Sequence, residues 1–210
     1  MKIKVCGMLQ EQNIEQLVGL NPDYIGFIFY KHSKRYIGDH ITEEIHSLIP
    51  ANIQKVGVFV DEPFHSLLEK NRLNKLDILQ LHGSELPGYC LKLKKRGITV
   101  IKAFLITEDF DFECVKSYEP CCDYFLFDTA GQTVGGTGIK FNWDLINQYK
   151  GNKPFFLSGG IGSSDCNSIR NILHPQLFAV DVNSGFETEP GIKDILKVST
   201  FINELRTQIQ

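Results

Sequence analysis

No stretch of this chain is apolar over anything near the roughly 20 residues that a membrane-spanning helix needs. The opening residues, Met1-Lys2-Ile3-Lys4-Val5, lead into neither the long hydrophobic core nor the small-residue cleavage site of a secretory signal. A membrane protein is therefore not expected, and a cytoplasmic one is. Strong charge of one sign is missing too. The 22 basic residues are nearly matched by 25 acidic ones, for a net charge of -3, which gives no clustered basic face for a nucleic acid. The densest basic run, Lys92 to Arg96, lies beside Leu91 and Leu93 and reads as a solvated helix face. Cysteines at zinc-binding spacing are also lacking: there are six, with Cys121-Cys122 adjacent and no CxxC pair. Reduced thiols are expected rather than disulfides, and no metal site. Internal repeats, low-complexity tracts and Gly/Pro/Ser-rich linkers are absent as well.

What is present is one rhythm, repeated. A short apolar run meets a Gly-rich or polar turn and then an amphipathic stretch. The runs are Ile3–Cys6, Tyr24–Phe29, Lys55–Val60, Ile78–Leu81, Val100–Leu105, Tyr124–Phe127, Phe155–Leu157 and Leu177–Val182. Several are almost continuously hydrophobic and rich in β-branched or aromatic residues, as parallel strands covered on both faces must be. Helical spacing of apolar residues follows them at Ile14, Leu17 and Val18; at Ile45, Leu48 and Ile49; and at Leu67, Leu68 and Leu73. It continues over Leu86–Lys95, Phe112–Tyr118, Trp143–Tyr149, Asp165–Leu173 and Ile192–Leu205. Pro63 suits the first turn of the third helix, with Asp61 as the cap before it. Eight strand–helix units in 210 residues predict a single-domain (β/α)₈ TIM barrel over residues 1–210. An open doubly wound sheet is the alternative.

In such a barrel the site lies where strands end and loops begin. Those ends carry Cys6-Gly7, His32 to Arg35, Asp61, His82-Gly83, Asp128-Thr129, Ser158-Gly159-Gly160 and Asp181 to Gly185. Two of them, Ser158-Gly159-Gly160-Ile161-Gly162 and Asn183-Ser184-Gly185, are glycine-bearing loops whose backbone N–H groups can approach a phosphate. They follow strands seven and eight, where phosphate sites recur in this architecture; tight turns alone are the bland reading. Gly135-Gly136-Thr137-Gly138 lacks the Lys-Ser/Thr of a P-loop, which argues against a nucleoside triphosphate. It reads as a movable active-site loop or a plain surface turn. Cys6 and Asp128 are the pair able to move protons: a thiolate abstracts one from carbon, and a carboxylic acid delivers one to a leaving oxygen. By itself Cys6 could be a small buried apolar residue. Asp128, after Phe125-Leu126-Phe127, would need a partner. His82 and Asp181 can line the pocket or fix loop geometry. Lys4 shares the strand parity of Cys6, and an acidic partner or solvent is expected for it.

Taken in order, Lys4-Val5-Cys6-Gly7, Ser33-Lys34-Arg35-Tyr36-Ile37, Gln80-Leu81-His82-Gly83 and Phe127-Asp128-Thr129 resemble the successive motifs of the phosphoribosylanthranilate isomerase family. Gly135-Gly136-Thr137-Gly138 with Phe141-Asn142-Trp143, and Leu157-Ser158-Gly159-Gly160-Ile161, continue the resemblance. Asp181-Val182-Asn183-Ser184-Gly185-Phe186-Glu187 and Pro190-Gly191-Ile192-Lys193-Asp194 complete it. Each motif is weak alone, but the ordered set spans nearly the whole chain. Met8-Leu9 departs from the family, which more often has a branched apolar residue followed by threonine.

The resemblance implies an Amadori rearrangement of phosphoribosylanthranilate in tryptophan biosynthesis, with Asp128 as general acid and Cys6 as general base. It places Arg35 against the anthranilate carboxylate, and Gly159, Gly160, Asn183, Ser184 and Gly185 around the phosphate; His82 as a pocket-lining residue and Asp181 as one that orients substrate or a catalytic group stay as readings of their positions, against structural roles for both. It implies no cofactor, a small-molecule substrate as partner, and a monomer or homodimer. Another ribose-phosphate barrel is the nearest rival. An aminoimidazole isomerase of histidine biosynthesis has aspartate at the position of Cys6. Indole-glycerol-phosphate synthase relies on early lysine and glutamate residues that form no such set here. A non-catalytic metabolite sensor would need the glycine loops but not Cys6 together with Asp128.

Overall fold

A computed structural model describes residues 1–129 and 143–207. Eight strands, β1 (Lys2–Cys6), β2 (Tyr24–Ile28), β3 (Gln54–Phe59), β4 (Ile78–Leu81), β5 (Thr99–Ile106), β6 (Tyr124–Thr129), β7 (Phe155–Leu157) and β8 (Leu177–Val182), close into a barrel in sequential order. Each pairs in parallel with the next, and β1 closes on β8 with Lys4 opposite Asp181. The open sheet is ruled out. Each expected apolar run overlaps a strand, its ends differing by at most two residues. No helix among the described residues is long and apolar enough to cross a membrane.

Two cores result from the alternation of side chains along each strand. Outward residues such as Val5, Phe27, Leu79, Phe125, Phe127 and Val180 pack under the surrounding helices. Inward residues Tyr24, Val56, Ile78, Ile101, Leu126, Phe156 and Ala179 plug the half of the barrel nearer the strand N-termini. That plug leaves the inward positions at the strand C-termini free to be polar. Cys6, Gln80, Asp128 and Asp181 occupy such positions.

The helices α1 (Glu11–Val18), α2 (Glu43–Leu48), α3 (Phe64–Leu73), α4 (Pro87–Lys94), α5 (Cys166–Arg170) and α6 (Ile195–Arg206) lie where helical spacing puts them, apart from their ends. Two expected helices are instead 3₁₀ segments, Phe112–Tyr118 and Trp143–Gln148. Their apolar residues explain it. Phe112, Val115 and Tyr118, and likewise Trp143 and Ile146, recur every third residue, the period of the tighter helix. The last helix begins at Ile195 rather than Ile192, because the Asp194 carboxylate accepts a hydrogen bond from Lys197 N at its first turn. Ile192–Lys193 pairs instead with Glu187–Glu189 in a small antiparallel ribbon. Asp61 does not cap α3; Pro63 occupies that position. The Asp61 carboxylate accepts hydrogen bonds from Ser84 N and Oγ at 2.7 and 3.0 Å, which draws it toward the loop after β4.

Candidate active site

At the C-terminal mouth of the barrel the described residues enclose a cavity of about 570 Å³. Cys6, Arg35, His82, Asp128, Gly159, Gly160, Asp181, Asn183, Ser184 and Gly185, the residues expected to act in catalysis or substrate binding, line it together. The glycine-rich segment at 135–138 lies outside the described residues.

Cys6 ends β1 as a buried free thiol. Its neighbour across the β1–β2 pairing is Gly26. A Cβ on Gly26 would stand 2.6 Å from Cys6 Sγ and 3.0 Å from Cys6 Cα, so the space the thiol occupies exists because residue 26 has no side chain. Burial pushes the Cys6 thiol above its ordinary value, while Lys4 and Lys193 pull it down and Asp181 adds to the rise.

Below the thiol, Lys4 is wholly buried. Its Nζ donates to Asp181 Oδ2 at 2.9 Å and to Gln80 Oε1 at 2.8 Å. Burial disfavours the ammonium, but Asp181 and Cys6 outweigh it and hold Lys4 charged. The expected acidic partner of Lys4 is therefore Asp181. The other oxygen, Asp181 Oδ1, is buried and finds no hydrogen-bond partner among the described residues. A buried carboxylate oxygen without a donor is a site for a donor to arrive.

Gln80 continues the network, with its Nε2 at 2.9 Å from His82 Nδ1. His82 Nε2 in turn lies 3.3 Å from Asp128 Oδ2. Behind His82, Lys102 donates to the carbonyls of Leu81 and Gly83 at 3.3 and 2.7 Å and pairs with Glu85 at 3.1 Å. Lys102 and Glu85 are both buried, so this clamp fixes the backbone on either side of His82.

Arg35 is buried and bidentate to Glu187: Nε donates to Oε1 at 2.7 Å and Nη2 to Oε2 at 2.5 Å. That pairing raises the guanidinium above its ordinary value. One edge of the fork is thus occupied within the protein. A guanidinium has five N–H donors, and the edge across its two terminal nitrogens is a second fork suited to a carboxylate. Lys193, also buried, donates to Glu187 Oε1 at 2.6 Å and to Asn183 Oδ1 at 2.7 Å. Burial lowers Lys193 despite Glu187. Glu187 itself is raised by burial but ends below the usual carboxylate value, because Arg35 and Lys193 dominate.

The loops after β7 and β8 meet. A Cβ on Gly185 would run into the Ile161 carbonyl, and Gly159 and Gly160 take φ of +90° and +64°, a region glycine enters freely. Lys4, Gln80, Glu187, Lys193 and the Lys102–Glu85 pair had no assigned role in the sequence reading. For Lys4, Gln80 and Lys102 the available signal was polarity inside apolar runs, as in Ile3-Lys4-Val5, Leu79-Gln80-Leu81 and Ile101-Lys102-Ala103, where an unpartnered polar or charged group would be costly.

Residues 3–204 match the family described as N-(5'-phosphoribosyl)anthranilate (PRA) isomerase. The chain is 48% identical over 209 residues to the N-(5'-phosphoribosyl)anthranilate isomerase of Parabacteroides distasonis, covering 98% of this chain and 93% of that one. The crystal structure of phosphoribosyl anthranilate isomerase from Thermotoga maritima superposes with a TM-score of 0.87 at 34% identity, with 98% of each chain covered. A phosphoribosyl anthranilate isomerase crystallised in complex with reduced 1-(o-carboxyphenylamino)-1-deoxyribulose 5-phosphate superposes with a TM-score of 0.83 at 32% identity, again over 98% of each chain.

Proposed function

The chain belongs to the N-(5'-phosphoribosyl)anthranilate isomerase family, enzymes of tryptophan biosynthesis, and we propose that its barrel mouth carries out the Amadori rearrangement with Asp128 as general acid and Cys6 as general base. The observation that carries the assignment is the convergence of Cys6 and Asp128 on one cavity, each joined to the Lys4–Gln80–His82 network.

Asp128 protonates the furanose ring oxygen, and the ring opens to a Schiff base. Cys6 then removes the C2′ proton, giving an enolamine that tautomerises to the ketone. Burial holds the resting thiol protonated more firmly than a free one. The positive charge of the Schiff base favours the thiolate at the step that needs it. Both steps are proton transfers, for which neither a metal nor an organic cofactor is required.

Arg35 receives the anthranilate carboxylate on the guanidinium edge that Glu187 leaves open. The abutting loops at Gly159-Gly160 and Asn183-Ser184-Gly185 hold the phosphate through backbone N–H groups. Asp181 Oδ1, lacking a donor among the described residues, accepts from a ribosyl hydroxyl. The complex of a relative with reduced 1-(o-carboxyphenylamino)-1-deoxyribulose 5-phosphate supports a ligand of this kind. The direct test follows the fluorescence of phosphoribosylanthranilate on mixing with the purified protein. Catalysed decay is expected, and decay at the uncatalysed rate would refute the reading.

A further inference from the structure

We propose that Gln80 is a positioning residue that locks His82 as the neutral imidazole with its hydrogen on Nε2, and thereby orients the Asp128 carboxyl toward the cavity. The inference rests on the reading of Asp128 as the general acid, and deepens it.

The ammonium of Lys4 has three donors and no acceptor. The Gln80 atom 2.8 Å from Lys4 Nζ is therefore the amide oxygen. The other end of the amide, 2.9 Å from His82 Nδ1, is the NH₂ group, which only donates. Nδ1 must then present a lone pair, and the single ring hydrogen sits on Nε2. Nε2 lies 3.3 Å from Asp128 Oδ2.

Neither alternative is tenable. Turning the amide over would set its NH₂ against the Lys4 ammonium, and Lys4 and Gln80 are both too buried for water to relieve the clash. Protonating His82 on Nδ1 would set N–H against N–H. Asp128 and Asp181 add negative potential around the ring, yet the Gln80 amide leaves a second ring proton nowhere to go. The Lys102 hydrogen bonds to the Leu81 and Gly83 carbonyls keep the ring from swinging away.

The consequence bears on the acid. The His82 ring, held in one tautomer and one orientation, stands against Asp128 Oδ2 and so biases how the carboxyl group sits in the cavity wall. Gln80 also separates the two proton carriers. An amide passes no proton under these conditions, so Cys6 and Asp128 exchange protons through substrate rather than through the network.

Long-range ¹H–¹⁵N correlation spectra of protein labelled at its six histidines test this, with the His82 signals identified by their loss in His82→Asn. The expected wild-type pattern is Nδ1 at the unprotonated position and Nε2 at the protonated one. Gln80→Glu places an acceptor at Nδ1, so both ring nitrogens should then appear protonated. Gln80→Leu frees the ring, and averaged positions are expected. In each variant kcat should fall about tenfold or more, the effect of losing about one oriented hydrogen bond, with KM changed less than about twofold. An Nδ1-protonated ring in the wild type, or a wild-type pattern in Gln80→Leu, would overturn the lock. Unchanged kcat in either folded variant would overturn the positioning role. If Gln80→Leu does not fold, the near-isosteric Gln80→Glu carries both readouts. Retained turnover in Asp128→Asn would sink the acid assignment while leaving the tautomer result standing, so the two failures are distinguishable.

Discussion

Lys4 and Asp181 face each other in register where β8 closes on β1, and their side chains, both buried, meet at 2.9 Å. The closure of the barrel thus creates the ion pair on which the site is built. Breaking such a pair from one side strands a buried charge, at a cost of about 3–5 kcal/mol. The pair also brings an ammonium to Cys6 without leaving the plugged interior with an uncompensated cation.

Removing that ammonium should show in the pH profile. Because burial raises the Cys6 thiol, kcat/KM should climb with pH through neutrality and continue past the usual cysteine range of roughly 8.5. In Lys4→Met the cation that pulls the thiol down is gone, so the rising limb should move to still higher pH. A limb that stays in place would show that Lys4 does not act on Cys6.

Gly26→Ala tests the space around the thiol. A methyl group 2.6 Å from Cys6 Sγ and 3.0 Å from its Cα forces β1, β2 or the thiol to shift. Turnover is expected to fall at least tenfold, since displacements of about 1 Å in a catalytic group have effects of that order or larger. Circular dichroism should remain that of the folded protein. Wild-type kcat would mean the position of the thiol is not limiting.

Glu187 is expected to make an acid-labile contribution to stability. Its folded value lies below the ordinary carboxylate value of roughly 4.3, held there against burial by Arg35 and Lys193. The stabilisation is therefore full above that pH and lost as pH falls through the depressed folded value. Urea unfolding of wild type and Glu187→Gln should differ by about 3 kcal/mol at pH 7, and the gap should narrow below about pH 4. A gap independent of pH would contradict the assignment of the ion pair.

The meeting of the two glycine loops predicts the effect of Gly185→Ala. The added methyl runs into the Ile161 carbonyl and must part the loops. KM for the phosphorylated substrate should rise at least tenfold, and inhibition by inorganic phosphate should weaken in parallel. Unchanged phosphate inhibition would place that group elsewhere.

Much of this was legible in the chain itself. Strands buried on both faces leave nearly continuous apolar runs, and these mark all eight staves. Cys6 and Asp128 stand at strand ends, so an architecture known only as a barrel already brings them to one mouth. The segments at Phe112–Tyr118 and Trp143–Gln148 resisted, because an apolar residue every third position satisfies both helical periods over so short a span. The pairing of Lys4 with Asp181 was hidden for another reason. It joins the first strand to the last, through a closure register that no local pattern carries. Glu187 was invisible as the partner of Arg35 because the ribbon it shares with Ile192–Lys193 folds back toward the second loop only in three dimensions.

The central claim is that Cys6 and Asp128 transfer the protons. Steady-state kinetics of Cys6→Ala and Asp128→Asn, with circular dichroism to confirm folding, test it most directly. Each substitution removes the proposed general base or general acid and leaves no large cavity. Each should lower kcat by roughly 10²–10⁴-fold, while both variants still bind a product analogue through Arg35 and the glycine loops. Turnover near that of the wild type in either folded variant would remove that residue from the mechanism. In both variants, it would contradict the account.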